Sequence, residues 1–363
     1  MNTVIRYFTG TGNTERGCKI IAETLALAGQ EVDMREFTDG RPEEIAALKP
    51  DLLILAFSVL GFSPAQAFYR WVSALPCGNG CPVVIAAVCG SLFVKGQVVP
   101  GFSGDATGIL ARKLKAKGFS VIGSAELSYP DNWTQVTNPA NAEDTQILLA
   151  AGDAQAQALA QNIRVGKTSM LVRPISRIIA SPVALLFRSI ARRFFGLLYI
   201  SDTTCTGCGL CAQSCPSSAI HLKRQLRRGT GAFIPKSRPE WNLECQGCNR
   251  CINICPSRSI QTSPARFILH AGLNIAALAA GIVYAGIPSH LLGITGFPGT
   301  ALSIFSAAAF FILFSLFQLT FLEMLLRAAG RTETGMRVLS MGSWTKNFRR
   351  HTAPGYKAPR YDR

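Results

Sequence analysis

Two short segments carry eight of the twelve cysteines in this 363-residue chain, and both follow the spacing C-x2-C-x2-C-x3-C-P. The first cysteine segment is CTGCGLCAQSCP, residues 205–216, and the second is CQGCNRCINICP, residues 245–256. Three thiolates on one tight loop can bind three irons of a cubane, but the same loop cannot bend back to reach the fourth iron. The last cysteine of each segment is therefore expected to bind the other cluster.

This crossed arrangement predicts two [4Fe–4S] clusters with four thiolate ligands each. The ligands predicted for the first cluster are Cys205, Cys208, Cys211 and Cys255. The ligands predicted for the second cluster are Cys245, Cys248, Cys251 and Cys215. Structural zinc is the alternative, but zinc prefers two C-x2-C pairs and would leave four thiols without a role. The region resembles the two-cluster bacterial ferredoxins, which implies an α+β ferredoxin-like domain over residues 201–263.

The first 167 residues alternate short apolar runs with helical patterns, which is typical of a parallel sheet with helices on both faces. The predicted strands cover residues 3–8, 31–37, 51–57, 82–89 and 120–128. The loop after the first strand, TGTGNT, leads directly into a helical pattern. Its glycines let the backbone curl so that amides and threonine hydroxyls face one point, which favours a phosphate site over an ordinary turn. The candidate phosphate-binding residues are Thr9, Gly10, Thr11, Gly12, Asn13 and Thr14.

This loop is similar to the [ST]-x-T-G-x-T phosphate loop of flavodoxins. The resemblance implies a doubly wound α/β sheet with strand order 2-1-3-4-5, bound FMN, and a flavin ring held by the loops after the third and fourth strands. The residues that it implies for these loops are Ser58, Leu60, Gly61, Phe62, Cys89, Gly90, Ser91 and Phe93. Phe62 and Phe93 are the candidates for stacking on the ring, and residues 129–133 are a candidate lid. The tryptophan and tyrosine that commonly sandwich the ring in flavodoxins are missing from these loops.

Two uncharged apolar segments follow the second cysteine segment, at residues 267–287 and 301–322. Each is long enough to cross a hydrocarbon core about 30 Å thick. A buried helical hairpin of a soluble domain is the alternative, but neither segment has a polar face. We therefore expect a transmembrane hairpin within residues 264–326, in which His270, Asn274 and Gln318 form hydrogen bonds between the helices.

Positive charge predicts the orientation of this hairpin. The connection at residues 289–300 has no lysine or arginine, whereas residues 323–363 carry nine, against three acidic residues. The positive-inside rule then places both termini and both redox domains in the cytoplasm, with a basic tail at residues 327–363. No secretory signal is apparent at the N-terminus, which fits cysteines in a reducing compartment.

The linker between the redox domains, residues 168–200, interleaves arginines with isoleucine, leucine and phenylalanine. This pattern suits a basic amphipathic helix that either lies among lipid headgroups or packs on the redox domains. An anionic membrane surface accounts for the formal net charge of +16, so nucleic acid is discounted as a partner and acidic redox proteins are retained.

Together the motifs resemble the family of flavodoxin–ferredoxin fusion proteins. Such a protein would be a membrane-anchored electron carrier that links FMN and two [4Fe–4S] clusters to a redox partner. The alternatives are a self-sufficient reductase of a lipid-soluble substrate and a subunit of a larger membrane redox complex. No paired carboxylates or histidine constellation indicates a catalytic acid or base, and no GxGxxG sequence follows a strand, so NAD(P)H is not expected as the direct donor. Whether the chain is itself an enzyme is left open by the sequence.

Overall fold

A computed structural model describes residues 1–171, 174–224 and 237–361, and for residues 174–177 only the backbone. The N-terminal part is an α/β domain. Its strands are β1 (Asn2–Phe8), β2 (Glu31–Glu36), β3 (Leu52–Leu60), β4 (Ser63–Pro64), β5 (Pro82–Val94), β6 (Gln97–Val99) and β7 (Ser120–Pro130). Its helices are α1 (Asn13–Ala26), α2 (Glu44–Leu48), α3 (Gln66–Ala74), α4 (Ala106–Ala116) and α5 (Ala142–Arg164).

Five of these strands form a parallel sheet in which β1 lies between β2 and β3, β3 pairs with β5, and β5 pairs with β7. Counting only the parallel strands, this order is 2-1-3-4-5, the arrangement of a flavodoxin-like doubly wound sheet. Residues 52–57 of β3 are all buried because helices cover both faces of the sheet. One face packs on α3 and α4 and the other on α1 and α5, which leaves the carboxyl ends of the strands free to form a site.

The strands extend beyond the ends that the sequence predicts. β3 continues to Leu60 and pairs with β4, while β5 continues to Val94 and pairs with β6, both antiparallel. The segments predicted as ring-binding loops therefore belong partly to strands. The added antiparallel pairing supplies backbone hydrogen bonds that apolar periodicity does not reveal.

One helical segment connects the two redox domains. It consists of α6 (Pro174–Leu186), a π-helical turn at Phe187–Ala191 and α7 (Arg192–Leu197). Ala180 and Ala184 are buried, and the Ser181 hydroxyl donates to Asp105 at 2.7 Å. The segment thus packs one face on the flavodoxin-like domain. Packing on a redox domain was one of the two alternatives predicted for this linker.

The cysteine-rich domain contains two antiparallel strand pairs, β8 with β11 and β9 with β10, and a short helix in each cysteine segment. Its elements are β8 (Tyr199–Ser201), α8 (Leu210–Gln213), β9 (Ile220–Arg224), β10 (Ser237–Trp241), α9 (Arg250–Ile254) and β11 (Ile260–Thr262). The rings of Tyr199 and Trp241 stack at 5.3 Å between the strand pairs. This small core is an α+β arrangement that holds the two cysteine segments side by side.

The C-terminal part is helical. Its helices are α10 (Pro264–Tyr284), α11 (Ile287–Leu291), α12 (Gly296–Phe317), α13 (Glu323–Gly330) and α14 (Glu333–Ser340), with a π-helical turn at Gln318–Leu322. Two helical stretches, Pro264–Leu291 and Gly296–Gly330, are long and apolar enough to cross a membrane. Most of their apolar side chains face outward; Ile275 and Leu313, for example, are 69% and 67% exposed.

The polar residues predicted between these two helices do contact each other. Nδ1 of His270 lies 3.3 Å from Oε1 of Gln318, and the Ser315 hydroxyl donates to Oδ1 of Asn274 at 3.0 Å. Nη1 of Arg266 donates to Glu323 at 3.0 Å near the base of the hairpin. These contacts fix the pairing of two helices whose remaining surface is apolar.

A buried arginine of the second cysteine segment joins three parts of the chain. Arg250 is 1% exposed and forms an ion pair with Glu36, which is the last residue of β2 and is itself 3% exposed. Its other acceptors are the carbonyls of Thr9, Gly10 and Ser214 and the hydroxyl of Tyr361. The same guanidinium therefore contacts the flavodoxin-like domain, both cysteine segments and the C-terminal tail.

Removing this guanidinium should strongly destabilise the chain. Arg250→Met leaves the Glu36 carboxylate buried without a counter-charge, for which we expect a loss of about 3–5 kcal/mol in the free energy of unfolding. The matched control is Arg70→Met, because Arg70 also joins the first domain to the cysteine-rich domain, through Glu244 just before the second cysteine segment, but the two side chains are 56% and 44% exposed. In that variant the free energy of unfolding should fall by about 1 kcal/mol or less.

Denaturant unfolding of the detergent-solubilised chain, followed by circular dichroism, measures both losses. Adding Glu36→Gln to Arg250→Met should recover part of the stability, since the uncompensated charge is then removed. Equal losses for Arg250→Met and Arg70→Met would contradict the role given to the buried pair.

Candidate functional site

The two cysteine segments fold alike. Each begins as a loop with glycines in the left-handed region, Gly207 and Gly209 in the first segment and Gly247 in the second. A short helix follows in each case, preceded by Gly209 at φ 77° or Asn249 at φ 58°. This backbone curls each segment so that its thiols face inward.

The thiols form two neighbouring groups. Burial raises the pKa of Cys211 to about 12. The nearby thiolates that raise it further are Cys255, Cys205 and Cys208. The last cysteine of the second segment therefore lies with the first three cysteines of the first segment, although 44 residues separate Cys255 from Cys211 along the chain.

In the second group, the last cysteine of the first segment, Cys215, lies with cysteines of the second segment. Burial raises the pKa of Cys248 to about 11; the positive charge of Arg250 lowers it, and the Cys215 thiolate raises it. Burial also raises the pKa of Cys245, with Cys248 and Cys215 as its thiol neighbours. Cys251 is buried in the same group, where Cys245 and Cys248 add to the effect of burial in raising its pKa. Cys211 of the first group also raises the pKa of Cys251, so the two groups lie close together. These neighbours are compatible with the two crossed sets described above, which remain a prediction.

This donor set fits iron–sulfur cubanes. Buried thiols that repel one another's negative charge ionise only beside a positive centre, and an iron–sulfur core supplies that centre. Hydrogen bonds to sulfur already favour thiolate: Ala219 N donates to Cys215 Sγ at 3.2 Å, and Gly247 N to Cys245 Sγ at 3.5 Å. Over the described residues, no three His, Cys, Asp or Glu side chains converge closely enough for a single metal ion. A cubane spreads its four thiolates over four irons instead.

The TGTGNT loop forms the predicted curl at the start of α1. Gly12 has φ 94°, and its amide donates to the Thr9 hydroxyl at 3.0 Å. The Thr14 hydroxyl lies 3.0 Å from the Ser58 hydroxyl, at the end of β3. Nδ2 of Asn132 donates to the Thr11 hydroxyl at 2.6 Å. Several hydroxyl and amide groups are thereby gathered at the amino end of a 14-residue helix, where an anion is favoured.

Arg250 also sets the direction of the amides in this loop. It holds the carbonyls of Thr9 and Gly10 from outside the loop, at 2.6 and 3.2 Å. In a trans peptide the N–H points opposite to the C=O of the same unit, so the amides of Gly10 and Thr11 face the inner side of the curl. The guanidinium therefore preorganises the loop for an anion without contacting that anion.

A cavity of about 360 Å³ lies at the carboxyl ends of the parallel strands, next to this loop. Seven of the predicted cofactor-binding residues line it: Asn13, Ser58, Leu60, Gly61, Phe62, Cys89 and Gly90. The other residues in its wall are Val59, Val88, Phe102, Pro130, Asp131, Asn132, Trp133, Val183, Phe187, Gly247 and Asn249. The cavity is thus built by β3, β5 and β7 at one edge of the sheet, the start of α1, the linker helix and the second cysteine segment.

Two predicted ring-binding residues lie elsewhere. The Ser91 hydroxyl donates to the carbonyl of Tyr129 at 2.8 Å, and Phe93 lies in the antiparallel ribbon paired with Val98. Neither lines the cavity. Ser91 still pairs with Pro130 of β7 in the parallel sheet, whereas β5 carries Phe93 past the parallel sheet into its antiparallel pairing with β6. Phe62 does line the cavity, and its ring packs edge-on against Phe102 at 5.5 Å.

The walls of the cavity fit a flavin mononucleotide. Polar groups of Asn13, Ser58 and Asn132 stand at the end next to the phosphate loop. The rest of the wall is mainly apolar, with aromatic rings such as Phe62 and Trp133, and it includes the carboxylate of Asp131. This division suits a molecule with a phosphate at one end and a flat apolar ring at the other.

Glycines keep the neighbouring segments close around this cavity. A Cβ on Gly61 would lie 2.2 Å from the Phe187 ring, and a Cβ on Gly90 would lie 2.6 Å from Oδ1 of Asp131. Gly61 and Phe62 both have positive φ, 54° and 62°. Such a conformation at a non-glycine residue is held in place by its surroundings and concentrates at binding sites.

The second cysteine segment forms one wall of the same cavity through Gly247 and Asn249. It also packs on the phosphate loop, because a Cβ on Gly10 would lie 2.4 Å from the carbonyl oxygen of Cys248. The sequence patterns located each site separately but gave no signal for this contact. The cavity is therefore in direct contact with the second cysteine segment through Gly247 and Asn249.

The C-terminal tail closes the outer side of the phosphate loop. Ala353 N donates to the carbonyl of Thr11 at 2.8 Å, and Nε2 of His351 lies 3.0 Å from Oδ1 of Asn13. The Tyr356 ring packs over Gly12, and the Tyr361 hydroxyl donates to Glu36 at 2.7 Å. A segment predicted only as a basic tail thus takes part in building the site.

Comparison with known proteins bears on both domains. The sequence model of the 4Fe-4S dicluster domain family matches residues 204–259, and no curated protein sequence matches the chain. Solved structures similar to it include a flavodoxin from the domain Archaea, with 14% identity, 44% of this chain and 99% of that one covered, and a TM-score of 0.29. Oxidised flavodoxin 2 from Bacillus cereus is similar at 19% identity, with coverage of 45% and 99% and a TM-score of 0.31. Megasphaera elsdenii flavodoxin in its two-electron reduced state is similar at 23% identity, with 42% of this chain and 98% of that one covered and a TM-score of 0.28.

The strand order and the family match define the class of protein: a flavodoxin-like domain followed by a [4Fe–4S] domain. The flavodoxin-like assignment rests on the strand order. The chain thus joins a flavodoxin-like α/β fold to a region that matches the 4Fe-4S dicluster domain, a combination that supports a role in electron transfer.

The docking of the tail should weaken in acid because of His351. Burial lowers the pKa of this histidine from 6.5 to about 4. Between these two values the released tail binds a proton that the docked tail does not, so docking is strongest above pH 6.5 and is lost progressively as the pH falls towards 4. The full effect is about 3 kcal/mol.

Hydrogen exchange of the backbone amides in residues 348–361, measured across this pH range, reports the docking. In His351→Gln the tail should lose most of the pH dependence of its protection, even if its protection at neutral pH is lower. Equal pH dependence in the variant and the parent would show that another group is responsible.

Proposed function

We propose that this chain is a membrane-anchored electron-transfer protein that holds FMN and two [4Fe–4S] clusters. The observation that carries the proposal is the shared wall between the cavity and the second cysteine segment. When bound, a flavin exchanges electrons in pairs or singly, whereas a [4Fe–4S] cluster exchanges one at a time. The chain would therefore couple two-electron chemistry to single-electron delivery. The proposal divides it into parts at residues 1–167, 168–200, 201–263, 264–326 and 327–363.

The residues that would hold the flavin phosphate are those of the curl in residues 9–14, together with Ser58. Phe62 and Trp133 would contact the ring. The second group of thiols, with Cys248 closest to the phosphate loop, would bind the cluster adjacent to the flavin. The first group would bind the distal cluster, and its Cys208 is exposed to solvent. Electrons are thus expected to leave or enter at the first cysteine segment.

The proposal also places the two long apolar helices in the cytoplasmic membrane, with both redox domains and both termini on the cytoplasmic side. Its support is the length and exposure of these helices and the basic residues that follow them. The redox partner is proposed to be an acidic protein or a membrane-associated acceptor, because the chain has a net charge of +16.

The cofactor content tests the proposal directly. Protein prepared anaerobically from membranes should contain about eight iron, about eight sulfide and about one FMN per chain. Zinc in place of iron, or iron without flavin, would overturn the assignment.

Ligand variants should separate the two clusters. Cys208→Ser and Cys248→Ser should each lose about half of the iron, because each cluster depends on four thiolates. The matched control is Cys77→Ser, which removes an exposed cysteine outside both segments and should keep all of the iron. Only the Cys248 variant should break electron exchange between the reduced flavin and the remaining cluster, as followed by EPR. The opposite assignment, with exchange lost only in the Cys208 variant, would contradict the proposed order.

The phosphate loop can be tested with a single methyl-for-hydroxyl exchange. Thr14→Val removes the hydroxyl that faces Ser58, and the affinity for FMN should fall about tenfold, the effect of losing one hydrogen bond to a charged group. Thr24→Val is the control, since the Thr24 hydroxyl on the same helix bonds only to the carbonyl of Ile20. Titration of flavin-stripped protein by FMN fluorescence gives both affinities. Equal affinities for the two variants would rule out a role for Thr14 in binding the phosphate.

A further inference from the structure

The linker helix carries an apolar face that no part of the described chain covers. We call it the outer face, formed by Ile178, Ile179, Val183, Leu185, Leu186 and Ile190. Ile178 is 77% exposed and Ile179 69%, and Leu186 and Ile190 are both more than half exposed. No charged residue stands among the exposed positions from 178 to 190. Soluble monomers rarely expose a continuous apolar surface of this kind.

The opposite face of the same segment packs against the flavodoxin-like domain. Ala180 lies against Gly104, where an added Cβ on the glycine would come within 2.9 Å of it. The Phe187 ring packs on Gly61, and the Arg188 guanidinium stands 4.1 Å above the Tyr69 ring. The helix is therefore held in one rotational setting, and its outer face cannot turn inward.

The end of this helical segment is attached to the base of the apolar hairpin. Nη1 of Arg266, in the first turn of α10, donates to the carbonyl of Leu197 at 2.7 Å. The rings of Phe194 and His270 pack edge-on at 5.8 Å. Ile268, in the turn between these two contacts, is 68% exposed. The outer face thus leads to the point where the apolar surface of the hairpin begins.

We propose that the outer face lies in the headgroup layer of the membrane that the hairpin crosses. The bilayer is the occupant that this arrangement favours, because the attachment to α10 keeps the C-terminal end of the linker helix at the entry of the hairpin. From residue 178 to residue 190 the face is about 18 Å long, enough for three turns of an interfacial helix. This inference rests on the proposed function, in which the hairpin spans the membrane.

The position of the flavin cavity follows from this placement. Val183 and Phe187 line the cavity, while Ile179, Leu186 and Ile190 of the same segment are exposed. The cavity would lie within about 10 Å, one helix diameter, of the lipid surface, because Val183 belongs to the outer face and lines the cavity as well. A lipid-soluble electron acceptor or donor could then approach the flavin from the membrane, while a soluble redox protein would approach the exposed Cys208 of the first cysteine segment.

Site-specific photocrosslinking in lipid nanodiscs tests the inference on the full chain with its cofactors. Benzoylphenylalanine is placed at position 186 on the outer face, at position 313 on α12, and at position 27, where Leu27 at the end of α1 is 91% exposed. All three positions are on the surface, and retention of the iron and flavin absorbance confirms that each labelled protein is folded. Adducts are identified by mass spectrometry.

We expect lipid adducts at positions 186 and 313, at a yield about tenfold above position 27, as for a helix buried in the headgroup region. Lipid adducts at 313 without any at 186 would overturn the inference while leaving the spanning hairpin intact. An adduct at 186 to a second copy of the chain or to another protein would overturn it as well. Absence of lipid adducts at 313 would instead refute the membrane hairpin of the proposed function.

Discussion

The arrangement of the whole molecule depends on the buried guanidinium of Arg250. A buried charge is tolerated only with a counter-charge and a full set of acceptors, and Arg250 obtains them from Glu36, the phosphate loop, the first cysteine segment and the tail. Because these partners come from distant parts of the sequence, the ion pair forms only when both redox domains and the tail are assembled. The same contacts turn the amides of Gly10 and Thr11 towards the inner side of their loop.

This packing has a direct consequence for electron transfer. In a two-domain protein with a mobile connection, the distance between the cofactors would vary. Here Gly247 and Asn249 form part of the cavity wall, and the linker helix packs on the flavodoxin-like domain through Ala180, Ser181 and Phe187. The path from the cavity to the second group of thiols is therefore short and fixed by the fold. The first group of thiols reaches the surface through Cys208, which in the proposed function would be the external end of the electron path.

The sequence located most of the parts but not their connections. The curl at Gly12 could be predicted from local spacing, and the structure has it. The crossed cysteine sets also follow from local spacing and remain a prediction. Phe93 could not be placed correctly, because the antiparallel pairing of β5 with β6 carries it away from the cavity. Phe102, Phe187 and Asn249 gave no recognisable pattern as cavity residues, since each belongs to a different part of the chain. His351 and Tyr356 were unpredictable for the same reason.

The sequence by itself determined the elements that depend on short-range spacing: two cysteine segments of the 4Fe-4S dicluster type, a glycine-containing loop that curls before a helix, and two apolar stretches long enough for a membrane. Such features are encoded within about 10 to 25 neighbouring residues, so periodicity and motif are sufficient to find them. Only the tertiary structure decided that the second cysteine segment closes the flavin cavity, that Arg250 meets Glu36, and that the tail returns to the phosphate loop. These contacts join residues up to 338 positions apart. They depend on complementary shape and on the pairing of buried charge, neither of which leaves a local pattern in the chain.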